Sequence, residues 1–549
     1  MRNRFTISTI FVLILSTLPF TTSSVTAVAS PRTVTDGGLT FEHSNIVDPF
    51  RLISEPNIAV DSKGAVYTSG PGGSAAQSST FWKSDDNGIQ YHPIGIAGEA
   101  KQNSVLGGGD TEYALAKDDT VYASDQEFLL CNATFRSKDG GNTFGTGEAC
   151  LPGTDRPWMG VYDPTGTPTG RRVYFAANQS ALLTAASLGC YLNVSTDDGV
   201  TYLPANGGTG VVGGSCKGHM AIDQTNGWIY LPTDQGVKRS TDGGKTFTNL
   251  GFPIQAPGQS ISYTLFANLA TDSVGNLYYV YSTTRAPSSS RLGPIMLAML
   301  PKGSTTWSTP VPVNTPDLKE NVFPWVVAGD TGRVAVMYVS TTDTAFNTSG
   351  PGLGGPNAEW HVYVAISTDA ISCAPTCAAN PAPTFQQAQA DDHTMHKGTI
   401  CVGGFPGCLE GQADRSMADF FVTTIDPRDG RVFLVWDDNA DRDPVNNIGK
   451  SYVTIARQRT GPSLFADEGD LLPPTMEGDV SMGQPSVNGD SVTVTGATGL
   501  PPGNYSTDPA GDAVYPVSPV EGPNVPALDI KEASVSEDGA NYKFTMKVA

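Results

Sequence analysis

A short turn motif recurs four times, and it restricts the chain to a repeated β-structure. The clearest copy runs from Ser240 to Phe247 (STDGGKTF), and the others begin at Ser84, Ser137 and Ser195. In each copy an Asp two residues after the Ser can accept hydrogen bonds from the turn, and a Gly two further on suits a positive φ. An aromatic residue three positions after that Gly then begins the next strand. We therefore predict an internal repeat of β-hairpins.

A second repeat gives the number of these units. A short apolar strand ending in Asp, a polar turn and a strand ending in an aromatic residue recur, most clearly at residues 58–67, 221–230, 269–278 and 425–433. Short apolar stretches bounded by turn residues are typical of β-strands, and the recurrence suits one four-stranded unit per copy. We count seven units and keep six as the alternative.

The N-terminus has the pattern of a secretory signal peptide. Two arginines precede an apolar run over residues 10–20, and a small-residue site, Ala27-Val28-Ala29, follows. The apolar run is too short to span a bilayer. We therefore expect cleavage after Ala29 and export of the mature protein, with no transmembrane segment.

Composition excludes one class of partner and indicates the compartment. The formal net charge is −21, and a strongly acidic surface repels phosphate backbones, so we expect no nucleic-acid partner. Eight cysteines fit an oxidising compartment, and none has Cys-x-x-Cys spacing, which favours disulfides over zinc. Their clustering suggests four local pairs: Cys131 with Cys150, Cys190 with Cys216, Cys373 with Cys377, and Cys401 with Cys408.

The chain divides into four segments by pattern. After the signal peptide, residues 1–29, the repeated units occupy residues 30–465, where residues 30–53 read as a leader strand that completes the last unit and covers its edge. Residues 466–525 are rich in Pro, Gly and acidic residues and read as a linker. Residues 526–549 have strand patterns and begin a small β-domain, either truncated or ending on its final strand.

The four phased turns resemble the Asp boxes of BNR-repeat proteins in the sialidase-like superfamily. The resemblance covers roughly residues 50–465. It implies an all-β fold, a β-propeller with one blade per unit, here seven or alternatively six. The family includes exo-sialidases, other secreted glycosidases and non-catalytic binding proteins, and its Asp box is a structural turn on the outer rim.

Sialidases of this family share a catalytic set, which the sequence matches in part. They use three arginines to hold the substrate carboxylate, a Tyr nucleophile activated by a Glu, and an Asp as acid and base. The first arginine opens blade one next to a proline; Arg51 is the partial match, with the proline displaced to Pro56. Residues 69–79, where the family places its acid, contain no Asp or Glu. Arg156 and Arg415 are candidates for further arginines.

Polar residues at the start of the expected innermost strands give the candidate site, because those strands line a propeller's channel. The candidate catalytic residues are Arg51, Asp110, Asp155, Arg156, Asp414 and Arg415, and the candidate substrate-binding residues are Glu55, Glu112, Trp158, His219, Trp325 and Asp419. The two indoles can stack on a sugar face or fill the channel wall. The alternative to a polar site is that adjacent charges, as in Asp155–Arg156 and Asp414–Arg415, simply pair with one another.

No cofactor is expected. A structural calcium held by Glu55, Glu112, Asp155 and Asp419 is the alternative, because hard oxygen ligands suit this ion, although EF-hand spacing is absent. A second cluster at residues 391–396 (DDHTMH) carries two His beside two carboxylates, a combination that can bind zinc. Its Pro- and Gly-rich surroundings favour a solvated loop instead.

Two functions from different classes follow from these observations. The first is a secreted, sialidase-like exo-glycosidase that acts on extracellular glycans, with carboxylates at the channel mouth as acid and base. The second is a non-catalytic propeller that binds glycan or protein at the cell surface through the same mouth. In both cases we expect a monomer whose partner is an extracellular glycan or glycoprotein. The resemblance favours the first.

Overall fold

The computed structural model describes residues 38–473 with short gaps. The gaps are residues 73–78, 95–107, 128–130, 149, 153–154, 179–188, 256–259, 263–265, 285–291, 345–351, 376–381, 403–407, 409–413 and 443–448. Beyond residue 473 it describes the strands Ser481–Met482, Val494–Thr495, Asn504–Thr507, Ile530–Asp538 and Asn541–Val548. The predicted signal peptide and most of the predicted linker lie outside the described residues.

Seven antiparallel sheets form a β-propeller, which confirms the predicted all-β, seven-bladed fold over the six-bladed alternative. Blade one contains Asn57–Val60, Val66–Gly70, Thr80–Ser84 and His92–Pro93, and blade two contains Thr111–Leu115, Val121–Glu127, Cys131–Ser137 and Gly145–Thr146. Blade three contains Asp155–Tyr162, Arg172–Asn178, Cys190–Ser195 and Leu203–Pro204. Blade four contains Ala221–Asp223, Trp228–Thr233, Gly236–Ser240 and Thr248–Asn249. Blades five and six are Asn268–Thr271 with Ile261–Ser262, Leu277–Thr284, Leu292–Leu300, Val311–Pro312; and Glu320–Ala328, Val334–Thr341, Glu359–Ser367, Gln386–Gln389 with His396–Lys397. Blade seven contains Val422–Ile425, Val432–Asp438 and Tyr452–Pro462.

A few short elements lie outside the main blade strands. Gly352–Leu353 pairs with Ile400–Cys401, and Asp470–Leu471 pairs with the third strand of blade seven. Two single-turn 3-10 helices cover Asn206–Gly208 and Ala466–Glu468. Among the described residues, no helix has the length and hydrophobicity of a membrane span.

The strands form because apolar and aromatic residues fill both faces of the middle strands, as expected for sheets stacked against their neighbours. In blade three, Met159 lies opposite Phe175 and Val161 opposite Val173. The largest buried apolar side chains are Trp82, Trp158, Trp360 and Trp436, each at most 1% exposed. The core therefore lies between adjacent blades.

The leader segment closes the ring. Thr40–Phe41 and Asn45–Ile46 pair antiparallel with Tyr452–Pro462, the third strand of blade seven. Arg457 on that strand makes two hydrogen bonds to the Glu42 carboxylate, at 2.7 and 3.0 Å. Pairing the two ends of the ring removes the exposed edge of the last blade.

The four repeated turns share one hydrogen-bond pattern. Ser84, Ser137, Ser195 and Ser240 each accept a 2.8 Å hydrogen bond from the N–H of a glycine four residues later. Those glycines have φ between +80° and +92°. In each copy the Asp also accepts a 2.9 Å hydrogen bond from the N–H four residues after it. The predicted turn chemistry is thus observed in all four copies.

Three of the four predicted disulfides are present. Cys131–Cys150, Cys190–Cys216 and Cys401–Cys408 have Cα separations of 5.1, 4.7 and 5.9 Å. Cys377, the predicted partner of Cys373, lies outside the described residues. Because the bridged cysteines are only 19, 26 and 7 residues apart in the chain, sequence proximity alone identified the pairs.

Candidate functional site

The backbone is left-handed just where the chain enters several innermost strands. Glu55, Arg156, Phe266, Phe323 and Ala418 have φ of +54°, +59°, +29°, +54° and +50°. For residues other than glycine this conformation costs of order 1–3 kcal/mol and persists only where the surroundings enforce it. In blades three and six it coincides with a register shift in the innermost strand pair. The repeated kink turns these residues toward one end of the axial channel, here called the mouth.

Two arginines from opposite parts of the chain meet on one carboxylate at the mouth. Arg156 Nη2 lies 3.2 Å from Asp419 Oδ2, and Arg415 Nη1 contacts Asp419 Oδ1. Arg156 also lies 3.8 Å from Asp155, and Arg415 lies 4.0 Å from Glu55. Although burial opposes ionisation, these two guanidinium groups hold the pKa of the Asp419 carboxyl below its usual range.

Two carboxyl groups at the mouth share a hydrogen bond. The side chains of Glu55 and Asp110 bond to one another, and Asp110 also accepts a 3.2 Å hydrogen bond from the Arg156 N–H. Burial and neighbouring carboxylates raise the pKa of Glu55 well above its usual value and that of Asp110 to about 6. A pair of this kind holds one proton near neutral pH.

Asp437 supports this pair from the second strand of blade seven. Its Oδ2 accepts a 3.1 Å hydrogen bond from the Glu55 N–H, and its side chain is fully buried. Burial and the adjacent Asp438 hold the pKa of Asp437 well above its usual range. We define the mouth cluster as the carboxyl groups of Glu55, Asp110, Asp155, Asp419 and Asp437 with the cations Arg156, Arg415 and Lys217.

Asp155 is the most accessible acid of the mouth cluster. Its side chain is 42% exposed, whereas that of Asp419 is 8% exposed. Burial raises the pKa of Asp155, and the charge of Arg156 opposes that rise. Lys217 is close enough for its charge to act on Asp155, and burial lowers the pKa of this lysine. Asp155 is therefore placed to face a ligand entering from solvent.

An aromatic layer lies behind the arginines. The Arg156 guanidinium stacks 4.4 Å from the Phe266 ring centroid, and Phe266 stacks on Phe420 at 5.0 Å. Trp158 meets the Phe266 edge at 6.2 Å and is 1% exposed. Its indole fills the channel wall, so it offers no face to a ligand in this structure.

One layer deeper, a carboxyl–imidazole pair crosses the channel. Glu112 Oε1 lies 3.4 Å from His219 Nε2, which also lies 3.0 Å from the Met159 carbonyl oxygen. The Trp325 ring lies 5.4 Å from the imidazole. Glu112, His219 and Trp325 line a cavity of about 380 Å³ between the innermost strands. Burial raises the pKa of Glu112, and the His219 hydrogen bond opposes that rise.

Two sequence candidates lie apart from the mouth cluster. Arg51 is 40% exposed and forms its ion pair with Asp48. Asp414 accepts hydrogen bonds from Arg442 at 2.9 Å and from the N–H of Ser416. The expected pairing of Asp414 with Arg415 does not occur; the pairing of Asp155 with Arg156 does, at 3.8 Å. Adjacent residues on a kinked segment can point to different neighbours. Adjacency in the sequence therefore predicted the Asp155–Arg156 ion pair correctly but not an ion pair between Asp414 and Arg415.

Sequence reasoning missed Asp437, Lys217 and Phe266. Lys217 and Phe266 stand two residues before His219 and Asn268, as Glu55 stands two before Asn57. This common offset of two residues could have identified Lys217 and Phe266 from the sequence. Asp437 lies near the end of the apolar strand Val432–Asp438, which is not innermost, and no repeat pattern marked it.

The residue 391–396 cluster forms a chain of hydrogen bonds. His393 lies 2.7 Å from both Asp392 and Asp438, and His43 of the leader segment lies 2.7 Å from Asp392. Bonds to Asp392 and Asp438 raise the pKa of His393 to about 10. Within the described residues, no group of three or more His, Cys, Asp or Glu side chains has the arrangement of a metal site.

Comparisons with known proteins return structural neighbours only. No protein-family model and no curated protein sequence matches the chain. A Dyadobacter fermentans protein of unknown function is 13% identical, with a TM-score of 0.39, over 77% of this chain and 99% of that one. A Niastella koreensis GH74 enzyme is 16% identical, with a TM-score of 0.43, over 72% of this chain and 53% of that one.

A third neighbour is a GH93 α-L-arabinofuranosidase of Fusarium graminearum. It is 13% identical, with a TM-score of 0.35, over 76% of this chain and 97% of that one. At such identities and TM-scores these similarities assign no activity to the chain.

Proposed function

We propose that this protein acts on extracellular glycans and hydrolyses glycosidic bonds at the channel mouth. The observation that supports this best is a trio of carboxyl groups at the open end of the channel: Glu55 and Asp110, bonded to each other, and the exposed Asp155. Glycoside hydrolysis commonly uses one protonated and one ionised carboxyl group around the bond. The extracellular part of the proposal depends on the predicted signal peptide.

The environments of the three acids suit different roles. The Glu55–Asp110 pair holds a proton and serves as general acid, giving that proton to the leaving oxygen as the glycosidic C–O bond breaks. Asp155 lies 3.8 Å from Arg156, whose charge favours its ionised form. Asp155 then takes a proton from the water that adds to the anomeric carbon, or attacks that carbon itself.

The contacts of the arginines at the mouth disfavour sialosides as the preferred substrates. A sialic acid carboxylate needs guanidinium groups that are free to bind it. Arg156 and Arg415 both contact Asp419, and Arg51 contacts Asp48. A substrate carboxylate must therefore compete with an existing ion pair at each arginine. We rank sialosides below uncharged glycosides as substrates for this reason.

The test is hydrolysis of a panel of fluorogenic glycosides, including an α-sialoside, by the mature chain. Glu55→Gln and Asp155→Asn should each lower the rate by roughly 10²- to 10⁴-fold, the usual contribution of a general acid or base. Glu359→Gln is the matched control, because Glu359 is 55% exposed and pairs only with surface Lys397 among the described residues.

The opposite outcome is equally clear. If the folded wild-type protein releases no product from any glycoside but binds members of a glycan array, hydrolysis is wrong. The propeller is then a recognition module, and the mutual pairing of Asp419 with Arg156 and Arg415 is structural.

A further inference from the structure

The mouth cluster contains more carboxyl groups than cations. It has five acids, Glu55, Asp110, Asp155, Asp419 and Asp437, against the three cations Arg156, Arg415 and Lys217. Asp419 is bonded to both arginines, so it takes a large share of the available positive charge. The Glu55–Asp110 pair and Asp437 are left with few cations nearby, so bound protons balance their charge.

One oxygen of Asp437, unpaired within the described part of the chain, is a second, independent observation that indicates a ligand at the mouth cluster. Its Oδ2 accepts the Glu55 N–H, but its Oδ1 is buried and has no hydrogen-bond partner among the described residues. A buried carboxyl oxygen without a donor costs free energy, because it has given up its hydrogen bonds to water. A donor brought by a ligand would remove that cost.

The ligand group must be cationic, small and rich in N–H donors. An ammonium group has one positive charge and three donors, whereas a guanidinium needs a wider planar fork. A metal ion fits less well, because no cluster among the described residues has the arrangement of a metal site. In a site proposed to act on glycans, an ammonium group is the free amine of a hexosamine.

We infer that the mouth cluster binds the protonated amine of an amino sugar, so that the preferred glycans carry free rather than N-acetylated hexosamine. This rests on the proposed function, since it names the sugar class for the same site. The ammonium group contacts the carboxyl groups of Glu55, Asp110 and Asp437. As it binds, the proton on the buried Asp437 passes to solvent and the positive charge of the amine replaces it, while the proton shared by Glu55 and Asp110 stays in place for the general-acid step.

Isothermal titration calorimetry with matched disaccharides tests the inference. The free-amine disaccharide of glucosamine and its di-N-acetylated form are titrated at pH 6 and 150 mM salt, where long-range attraction to the acidic surface is screened. The free amine should bind at least about tenfold tighter, as one close charge pair provides. Repeating the titration in two buffers of different ionisation enthalpy should show proton release.

Two variants test which carboxyl groups are responsible for the preference for the free amine. Glu55→Gln and Asp437→Asn should each reduce the preference for the free amine about tenfold, while Glu359→Gln should keep it. Asp437 is fully buried, so its variant requires a check of folding; the Glu55 side chain is 16% exposed, and Glu55→Gln keeps the test valid if the other fails to fold. A preference that survives Glu55→Gln would place the amine elsewhere and overturn the inference.

The outcomes separate this inference from the proposed hydrolysis. Equal or weaker binding of the free amine overturns the inference, even if neutral glycosides are hydrolysed and the proposed function stands. Preferential binding without any hydrolysis supports the amine site and rejects the hydrolase. Binding of neither disaccharide overturns the inference, and the glycoside panel then decides the hydrolase by itself.

Discussion

The two ends of one strand carry charged clusters of opposite character. The innermost strand of blade three, Asp155–Tyr162, begins in the mouth cluster. Asp163 follows its last residue and contacts Arg171 at 3.0 Å. Arg171 also contacts Asp118 and Asp198, each at 2.8 Å, and is fully buried. We call Arg171 and these three carboxylates the Arg171 hub.

Charge balance and exposure distinguish the two clusters. Arg136 and Lys138 also contact Asp198, so three cations face three carboxylates around the hub. Although burial opposes ionisation, bonds from Arg171 to Asp118 and from Lys138 to Asp198 hold both pKa values below their usual range. At the mouth, carboxyl pKa values are mostly raised. A balanced, closed cluster is typical of a scaffold, whereas an unbalanced, open one is typical of a binding site.

The largest expected effect is at the hub. Arg171→Met should lower the free energy of unfolding by about 3–5 kcal/mol, because it leaves the buried Asp163 without its counter-charge. Arg156→Met should cost much less, about 1 kcal/mol, since Asp419 keeps its contact with Arg415. Denaturant unfolding of both variants measures the difference. Equal losses would show that the mouth is as structural as the hub.

The two aspartates at the ends of the strand should respond in opposite ways. Asp163→Asn should lower stability by about 1–3 kcal/mol and leave the rate of glycoside hydrolysis within a few-fold of wild type. Asp155→Asn should change stability by less than about 0.5 kcal/mol, because the side chain is 42% exposed. Its effect is instead on the rate. Thermal unfolding and the glycoside panel on the same samples provide both readings.

The pH dependence of stability should also have opposite signs. The folded-state pKa of Asp110 is about 6, above the unfolded value near 4, so the folded state binds more protons across that window. The stabilisation of the folded state that comes from protonated Asp110 is fully present below about pH 4 and is lost as the pH rises through about 6. Asp110→Asn should therefore raise the free energy of unfolding at pH 7 by about 1 kcal/mol, with no gain at pH 4.

Asp198 should behave in the reverse manner. Its pKa is lowered in the folded state, so its stabilisation is present above pH 4 and lost as pH falls through the folded value. Asp198→Asn should lower stability at pH 7 and converge with wild type in acid. Denaturant titrations across this pH range compare the two variants. The same sign for both would refute the distinction between the clusters.

The smallest expected effect is at Arg51. Arg51→Ala removes an exposed ion pair with Asp48 and should cost about 0–1 kcal/mol. Hydrolysis of uncharged glycosides should stay within twofold, because no described contact joins Arg51 to the mouth cluster. Selective loss of sialoside hydrolysis would instead assign Arg51 a role in holding a substrate carboxylate.

Local signals were enough for the fold. The Ser, Asp and Gly of each turn interact within five or six residues, so their spacing already specifies the turn. Seven recurrences of the strand pattern specified seven blades, and short separations identified three disulfides. The sequence by itself thus determined the repeating unit and its number, because those depend on interactions between residues close in the chain.

The site depended on ring closure. Arg156 and Asp419 are 263 residues apart and meet only because blades three and seven face one channel. Asp437 reaches Glu55 from 382 residues away. The sequence indicated most of the acids but could not state which cation each would meet: the Asp414–Arg415 ion pair, considered as an alternative, does not form, and Asp414 pairs with Arg442. Tertiary structure alone decided the charge balance at the mouth, since left-handed kinks and blade packing set the direction of each side chain.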